Sequence, residues 1–397
     1  MRYKDYVDVF CKDRAETLAL HRPIDQAIDL DPDFNFPYGR IYILSEVQFK
    51  TLQAYIETNL ANQFIQRSLS AAAAPVLFAK KKDGGLWLCV DHRAPNKATV
   101  QNRYLLPLIS EMLDRLRGAR IFMRLDLRNA YHHIKIEEGD EYKTALRTRY
   151  GQFEYRVMPL GLTHTPSAFQ AYIDECLRPY VDNIAVWYLD DILIYSTNEE
   201  KHEELVQTVL ERLRECGLYG KAEKCRFGVS EVGFLRFIIS PDGIGMESDG
   251  ISMIEDWPTP ESIWDVPLFL GFTNFYQHFI RKYAKATKPI SDLLKKAENY
   301  RTSKQVTWEW TRDAKIAFWK LKRAFTDAPI LNHFDLPKPI ILQTNASGFA
   351  IAGILNHYDR FGILIPVNFH SRTCTGAEQN YDTYDRELLA IVETMKQ

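Results

Sequence analysis

Two adjacent carboxylates, Asp190 and Asp191, separate two β-rich apolar runs at residues 184–189 and 192–195, and this junction constrains the fold more than any other feature. A two-residue connection between such runs makes a hairpin, whose tip ordinarily favours Asn-Gly or Asp-Gly. Like charges ~4 Å apart repel by about 4 kcal/mol at an effective dielectric near 20, so a fold that keeps both ionised holds a cation against them. Hard carboxylate oxygens favour Mg2+. A second carboxylate-ended run, Arg124-Leu125-Asp126-Leu127, reads as a strand over residues 121–127. If these strands lie side by side, Asp126 and Asp190 grip two metal ions roughly 3.5–4 Å apart, an arrangement that activates a hydroxyl and stabilises a phosphate leaving group. On the residues alone, a solvated acidic loop stands level with this reading.

The rest of the chain sets bounds. At 397 residues it is long enough for several domains, and 46% hydrophobic with 26% charged residues supplies real cores. A formal net charge of -2 excludes a uniformly basic nucleic-acid binder but leaves room for a local basic groove. The longest apolar run, residues 71–79, is broken by Pro75, and the charged first residues offer no signal-peptide core. An intracellular protein, cytoplasmic or nuclear, with no membrane partner is the expectation. The six cysteines form no C-x-x-C pair and read as free thiols.

Strands alternate with helices and hairpins, giving an α+β class. Residues 1–60 read as an extended polar arm followed by a first helix. Within 61–240, apolar runs flank the turn Asp83-Gly84-Gly85, Thr165 caps a helix with Pro166 in its first turn, and a capping box Thr197-x-x-Glu200 opens another that ends at Gly217. A boundary near 240–260, marked by Trp257-Pro258-Thr259-Pro260, opens residues 241–330, which carry a basic stretch, Arg281, Lys282, Lys285, Lys288, Lys295 and Lys296 against Asp292. Residues 331–397 open with a hairpin and end in a helix starting near Tyr384. His132 and His133 are adjacent and cannot readily share an ion, so they read as packing residues.

The ordered runs VLFAKKKDGGLWLCVDHRAPNK, RLDLRNAYHHIKI, TALRTRYGQFEYRVMPLGLTHTPSAFQ, YLDDILIYS and GLYGKAEKCRFGVSEVGFLRFIISPDGI resemble reverse transcriptases of gypsy-type LTR retrotransposons. The resemblance continues through DWPTPESIWDVPLFLGFTNFYQHFI and VTWEW into ILQTNASGFAIAGIL and NYDTYDRELLAIVE, which look like that family's connection and the start of its ribonuclease H domain. It implies a right-hand polymerase with fingers, a palm built on a ferredoxin-like sheet, and a thumb. A helical connection and a partial ribonuclease H-like α/β domain would follow, within a polyprotein. It implies Asp126, Asp190 and Asp191 as the metal-binding triad for Mg2+, or Mn2+ in its place, with Asp191 peripheral. It further implies Tyr131 beneath the incoming sugar, Lys81 and Arg93 near the nucleotide, Gln170 in the helix facing the template, and Lys224 as proton donor to pyrophosphate. The implied partners are an RNA template, a DNA or RNA primer, the RNA-DNA hybrid and dNTPs; oligomeric state is left open.

The chain departs from the family pattern at four places. Trp87 stands where an arginine contacts the triphosphate, Arg236 where a glycine precedes an aromatic, and Leu160 where a phenylalanine follows proline. Asn345 replaces the first ribonuclease H aspartate, with Glu387 at the second acidic position and the chain ending before further acids. Ribonuclease H activity is therefore expected to be absent. Two other readings are a catalytically decayed remnant that still binds nucleic acid, and an unrelated two-metal phosphotransferase; the latter leaves Tyr131 and the Gln170 helix unexplained.

Overall fold

The computed structural model describes residues 3–34, 39–80, 84–100, 102, 104–181, 183–296 and 309–396. They form two compact units, one of Met1–Arg115 with Ile121–Val229, the other of Leu116–Arg120 with Ser230–Gln397. The first unit contains α1 (Lys12–Ala15), α2 (Glu46–Ala61), β1 (Ile65–Arg67), β2 (Ala74–Lys80), β3 (Leu86–Val90), α3 (Arg93–Ala98) and α4 (Ile109–Arg115). It continues with β4 (Ile121–Asp126), β5 (Leu146–Thr148), β6 (Gly151–Tyr155), α5 (Thr165–Leu177), β7 (Ala185–Tyr188), β8 (Asp191–Ser196), α6 (Glu199–Cys216) and β9 (Arg226–Val229).

Two sheets divide this unit. The fingers sheet has the order β1-β6-β5-β2-β3, and Leu52 and Ile56 of α2 pack against Val76, Val90, Leu146 and Phe153. The palm sheet has the order β7-β8-β4-β9. With α5 after β4 and α6 after β8 this is a β-α-β-β-α-β ferredoxin-like layer. Phe169 and Ile173 of α5 and Val206, Val209, Leu210 and Leu213 of α6 bury against Met123, Leu125, Ile192 and Ile194. Gly217 ends α6 at φ +66°, where a side chain costs roughly 1 kcal/mol, so the chain turns back toward β9 there.

Several local expectations shift. The first residues are a docked element: Val9 and Ile28 are buried in the palm core, and Arg214 of α6 grips Asp8 at 2.9 and 2.7 Å. Thr165 does not cap α5; His164 occupies that position and the Thr165 hydroxyl donates to the Pro159 carbonyl at 2.9 Å. Asn198 rather than Thr197 caps α6, accepting from the Lys201 amide at 2.9 Å. Asp83 of the basic hairpin tip lies outside the described residues.

In the second unit β10 (Val232–Phe234), β11 (Phe237–Ser240) and β12 (Gly243–Met246) pair among themselves. Helices α7 (Ser248–Glu255), α8 (Asp265–Phe275), α9 (Tyr283–Lys296) and α10 (Arg312–Thr326) follow. The hairpin β13 (Ile341–Ala346) and β14 (Ala350–Tyr358) then extends to β15 (Leu364–Thr373), with α11 (Thr383–Met395) against β13 and β14. Gly243 is required where β12 meets Leu331: a Cβ there would sit 2.1 Å from the Leu331 carbonyl oxygen. No helix among the described residues is long and apolar enough to cross a membrane.

Candidate active site

The antiparallel ladder between β4 and β8 sets Asp126 directly opposite Asp191, and Tyr188 opposite Asp191 across the β7–β8 turn. The Leu127 amide donates to the Asp190 carbonyl at 2.9 Å, so the strand end and the hairpin tip are tied by backbone. The turn requires Leu189 at φ +55°, a left-handed conformation unusual for leucine. Its amide is held by the Gln170 side-chain oxygen at 2.9 Å. The Gln170 amide nitrogen donates to Asp174 Oδ1 at 2.8 Å, which also receives Trp187 Nε1 at 2.7 Å, while the Tyr104 hydroxyl reaches Asp174 Oδ2 at 2.6 Å. Gln170, in the helix that the resemblance implies faces the template, is 1% exposed, and its side chain holds the acidic turn.

The three carboxylates have different surroundings. Arg124 Nε donates to Asp191 Oδ1 at 2.7 Å. Burial nevertheless lifts Asp191 to about 6, with Arg124 opposing and the negative charges of Asp190 and Asp126 adding to the rise. Asp190 is also raised, first by burial and then by Asp126, against the pull of Lys221 and Lys224. Asp126 has Lys221 Nζ 3.0 Å from Oδ1 and Lys224 Nζ 3.6 Å from Oδ2. Its Oδ1 is closed off from water yet accepts no hydrogen bond, since the Lys221 contact lies outside hydrogen-bonding geometry. A buried, undirected carboxylate oxygen beside acids that resist ionisation suits a hard divalent cation, which needs only one or two protein carboxylates when phosphate and water complete its shell. No ready-made cage of three acidic, histidine or cysteine ligands occurs among the described residues. Asp191 is turned to Arg124.

Tyr131 lies in a 3-10 turn, Ala130–His133, with its ring edge-on to Phe169 at 5.3 Å. Burial and then the charge of Asp190 push its phenol up to about 12, so it stands beside the acids as a neutral ring. His132 packs on Phe64 at 5.1 Å and His133 on Tyr219 at 5.4 Å; burial takes both down to about 4, in keeping with structural roles. Arg93 opens α3 and is locked on Asp91 by two bonds of 2.8 and 2.7 Å, which hold Asp91 at about 2. It borders a cleft of about 390 Å³ shared with Arg40, Tyr42, Lys97 and Lys143. Lys81 lies outside the described residues.

Of the departures, Trp87 pairs with Ala79 across β2–β3 and is 49% exposed. Leu235 and Arg236 form the β10–β11 turn at φ +50° and +71°, a tip in which both residues need the conformation glycine adopts freely. Asn345 is exposed on β13, in register with Ala352, and Glu387 is exposed on α11. The basic stretch runs from Arg281 and Lys282 into α9, where Lys288 bonds Asp292 at 2.5 Å and Lys295 approaches it at 3.3 Å. Arg281, Lys282, Lys285 and Lys320 line a cavity of about 720 Å³ beside that pair.

Sequence reasoning missed Arg124, Lys221 and Asp174. Arg124 was legible as the residue two before Asp126, on the same face of a strand. Lys221 and Asp174 are brought in by tertiary pairing and left no local signal.

Residues 79–239 match the model of the reverse transcriptase (RNA-dependent DNA polymerase) family, and residues 310–397 that of the RNase H-like domain found in reverse transcriptase. The Tf2-3 and Tf2-4 transposon polyproteins of Schizosaccharomyces pombe are each 34% identical over 99% of this chain, which spans 29% of their length. The fold is similar to foamy viral protease-reverse transcriptase in complex with double-stranded DNA, at a TM-score of 0.84 and 21% identity over 98% of this chain and 67% of that one. A second foamy viral structure, in complex with RNA/DNA hybrid, gives a TM-score of 0.78 at 20% identity over 96% and 51%. With the paired strand ends and acidic turn in place, residues 79–239 belong to the reverse transcriptase family and residues 310–397 to the RNase H-like domains found in reverse transcriptases.

Proposed function

We propose that this chain is the RNA-directed DNA polymerase portion of a gypsy-type LTR retrotransposon polyprotein, adding nucleotides from dNTPs to a primer 3′-hydroxyl on an RNA template. The observation that carries this reading is Asp126 at the end of β4, in register with the Asp190-Asp191 turn, with a sealed and undirected Oδ1. Asp126 and Asp190 would hold the divalent ions, Mg2+ or Mn2+, which when bound supply a lowered hydroxyl pKa and charge neutralisation at the leaving phosphate. Arg124 keeps Asp191 at the rear of the site. Tyr131, a neutral ring braced on Phe169, would occupy the space a 2′-hydroxyl needs. Lys224, 59% exposed at the edge of the acid cluster, is free to reach an incoming triphosphate and give it a proton. Lys81 and Arg93 serve the template-nucleotide side of the fingers, Arg93 after release from Asp91. The enzyme acts inside the cell on RNA template, DNA or RNA primer and their hybrid. Ribonuclease H activity is absent because Asn345 is a neutral amide where two metal ions need a bridging carboxylate.

Primer extension on a defined RNA template with dNTPs and Mg2+, run beside Asp190→Asn, tests the proposal. Template-directed extension that disappears in the variant is the expected result. A folded wild-type chain that binds hybrid and adds no nucleotide refutes the polymerase and leaves a binding remnant.

A further inference from the structure

Around the acidic turn, three acids face three cations. Arg124 is on Asp191, Lys221 and Lys224 are on Asp126, and Asp190 has no ion-pair partner among the described residues. The two lysines are not equivalent. Lys224 is 59% exposed at 3.6 Å, where solvent screens it; Lys221 is 25% exposed at 3.0 Å, over the oxygen that water does not reach.

The backbone puts Lys221 there. The Lys221 amide donates to the Asp126 carbonyl at 2.8 Å and the Arg128 amide to the Tyr219 carbonyl at 2.6 Å, so residues 219–221 run stitched along 126–128. Gly220 pairs with Leu127, and a Cβ on it would come within 2.8 Å of the Phe10 ring, so this segment lies against the docked N-terminal element without slack. The Cys225 thiol bonds the Lys221 carbonyl at 3.1 Å. A rigid backbone therefore delivers a flexible four-carbon stem whose ammonium is near Asp126 Oδ1 by charge but not anchored by a directed bond. Such a point charge is held yet replaceable.

We propose that Lys221 is a resident cation for the empty state: a positioning residue that holds Asp126 Oδ1 ready and is displaced from it by the incoming divalent ion. Metal entry is then an exchange of one cation for another. The acids stay assembled without metal, and the ammonium lowers the affinity of the metal-free enzyme for the ion. This rests on the metal-site reading of Asp126 given above.

The test is Mn2+ binding to the full chain, followed by the electron paramagnetic resonance of free Mn2+, with no nucleic acid present. Lys221→Met, which keeps length and removes charge, is expected to bind Mn2+ about tenfold more tightly, equivalent to about 1.4 kcal/mol. Lys221→Arg keeps the charge and stays within about threefold of wild type, as does Lys224→Met, whose charge is screened. In metal-free buffer Lys221→Met melts earlier than wild type, and saturating Mn2+ removes the difference. Unchanged or weaker binding by Lys221→Met overturns the proposal. So does an equal gain in Lys224→Met, which would reduce the effect to net charge. If Lys221→Met does not fold with or without Mn2+, Lys221→Gln, with a polar tip for the partly exposed end, takes the same reading. Asp126→Asn separates the two levels of the argument. Binding that survives it removes the metal-site reading itself, whereas binding lost in Asp126→Asn but unaltered in Lys221→Met removes only the role of Lys221.

Discussion

Replacing Gln170 by leucine removes the clamp on the acidic turn while nearly conserving volume, so the cost is polar rather than steric. The Leu189 amide loses its acceptor at 2.9 Å and Asp174 loses a donor at 2.8 Å, though Asp174 keeps Trp187 and Tyr104. A partly buried N–H left without a partner costs roughly 1–3 kcal/mol, offset in part by the ~1 kcal/mol of strain at Leu189, φ +55°, that a released turn can shed. We expect a net loss of about 1–2 kcal/mol, or a Tm lower by about 3–8 °C for a unit of this size. Because the released turn carries Asp190, single-nucleotide incorporation should fall about ten- to a hundredfold in kcat with little change in hybrid affinity. Calorimetry in metal-free buffer and rapid-quench kinetics read the two effects. A Gln170→Leu chain with Tm within about 1 °C of wild type, or with weakened hybrid binding at unchanged kcat, refutes a turn-holding role.

Asp191, raised by burial to about 6, makes a pH prediction for the metal-free protein. Its proton is bound more tightly folded than unfolded, so its contribution is fully present below the ordinary carboxylate range near pH 4 and is lost as pH rises through about 6. Asp191→Asn should flatten the fall in stability between those values; denaturant midpoints at pH 4, 5, 6 and 7 decide, and parallel slopes for the two proteins contradict it. Arg236→Gly relieves a left-handed residue at φ +71° and should raise stability by roughly 1 kcal/mol, read as a higher urea midpoint with unchanged slope; a lower midpoint counts against strain at that turn. Tyr131→Ala should raise ribonucleotide use relative to deoxynucleotide use by at least about tenfold, while Tyr131→Phe keeps discrimination because the phenol is neutral and its ring does the excluding. Equal discrimination in all three proteins removes Tyr131 from sugar selection.

What could be read in the chain beforehand follows the range of each signal. The acidic hairpin, the strand ending at Asp126, and the amphipathic α6 with its terminal Gly217 are local patterns, and they form as expected. The helix starts fell one residue off in both cases because several polar residues crowd each boundary: the Thr165 hydroxyl goes to the Pro159 carbonyl rather than capping α5, and the Asn198 side chain, not Thr197, caps α6. The first segment looked coreless because its apolar residues, Val9 and Ile28 among them, are scattered between charges and complete a core built by distant strands. The hold of Gln170 on the acidic turn left no local signal for a related reason: only the register of β7 and β8 reveals an amide at Leu189 needing an acceptor.

The same contacts explain why the acids sit as a graded set rather than three equal ligands. Asp126 is placed by the β4 ladder and by residues 219–221, Asp190 by the Leu127 amide and the Gln170 clamp, and Asp191 by its register and Arg124. Arg124 and Asp126 are two apart on one strand and so share a face, and Asp191 lies directly across from Asp126. One patch of paired strands therefore carries an acid, its opposing acid, and the cation that occupies the second. That arrangement binds up Asp191, leaves Asp190 with no ion-pair partner among the described residues, and sets a mobile ammonium over Asp126. On the proposed metal-site reading, a divalent ion entering there would meet its strongest unmet demand at Asp190 and an exchangeable partner at Asp126. The order of ligand strength thus follows from strand register and the reach of two side chains, Arg124 and Lys221.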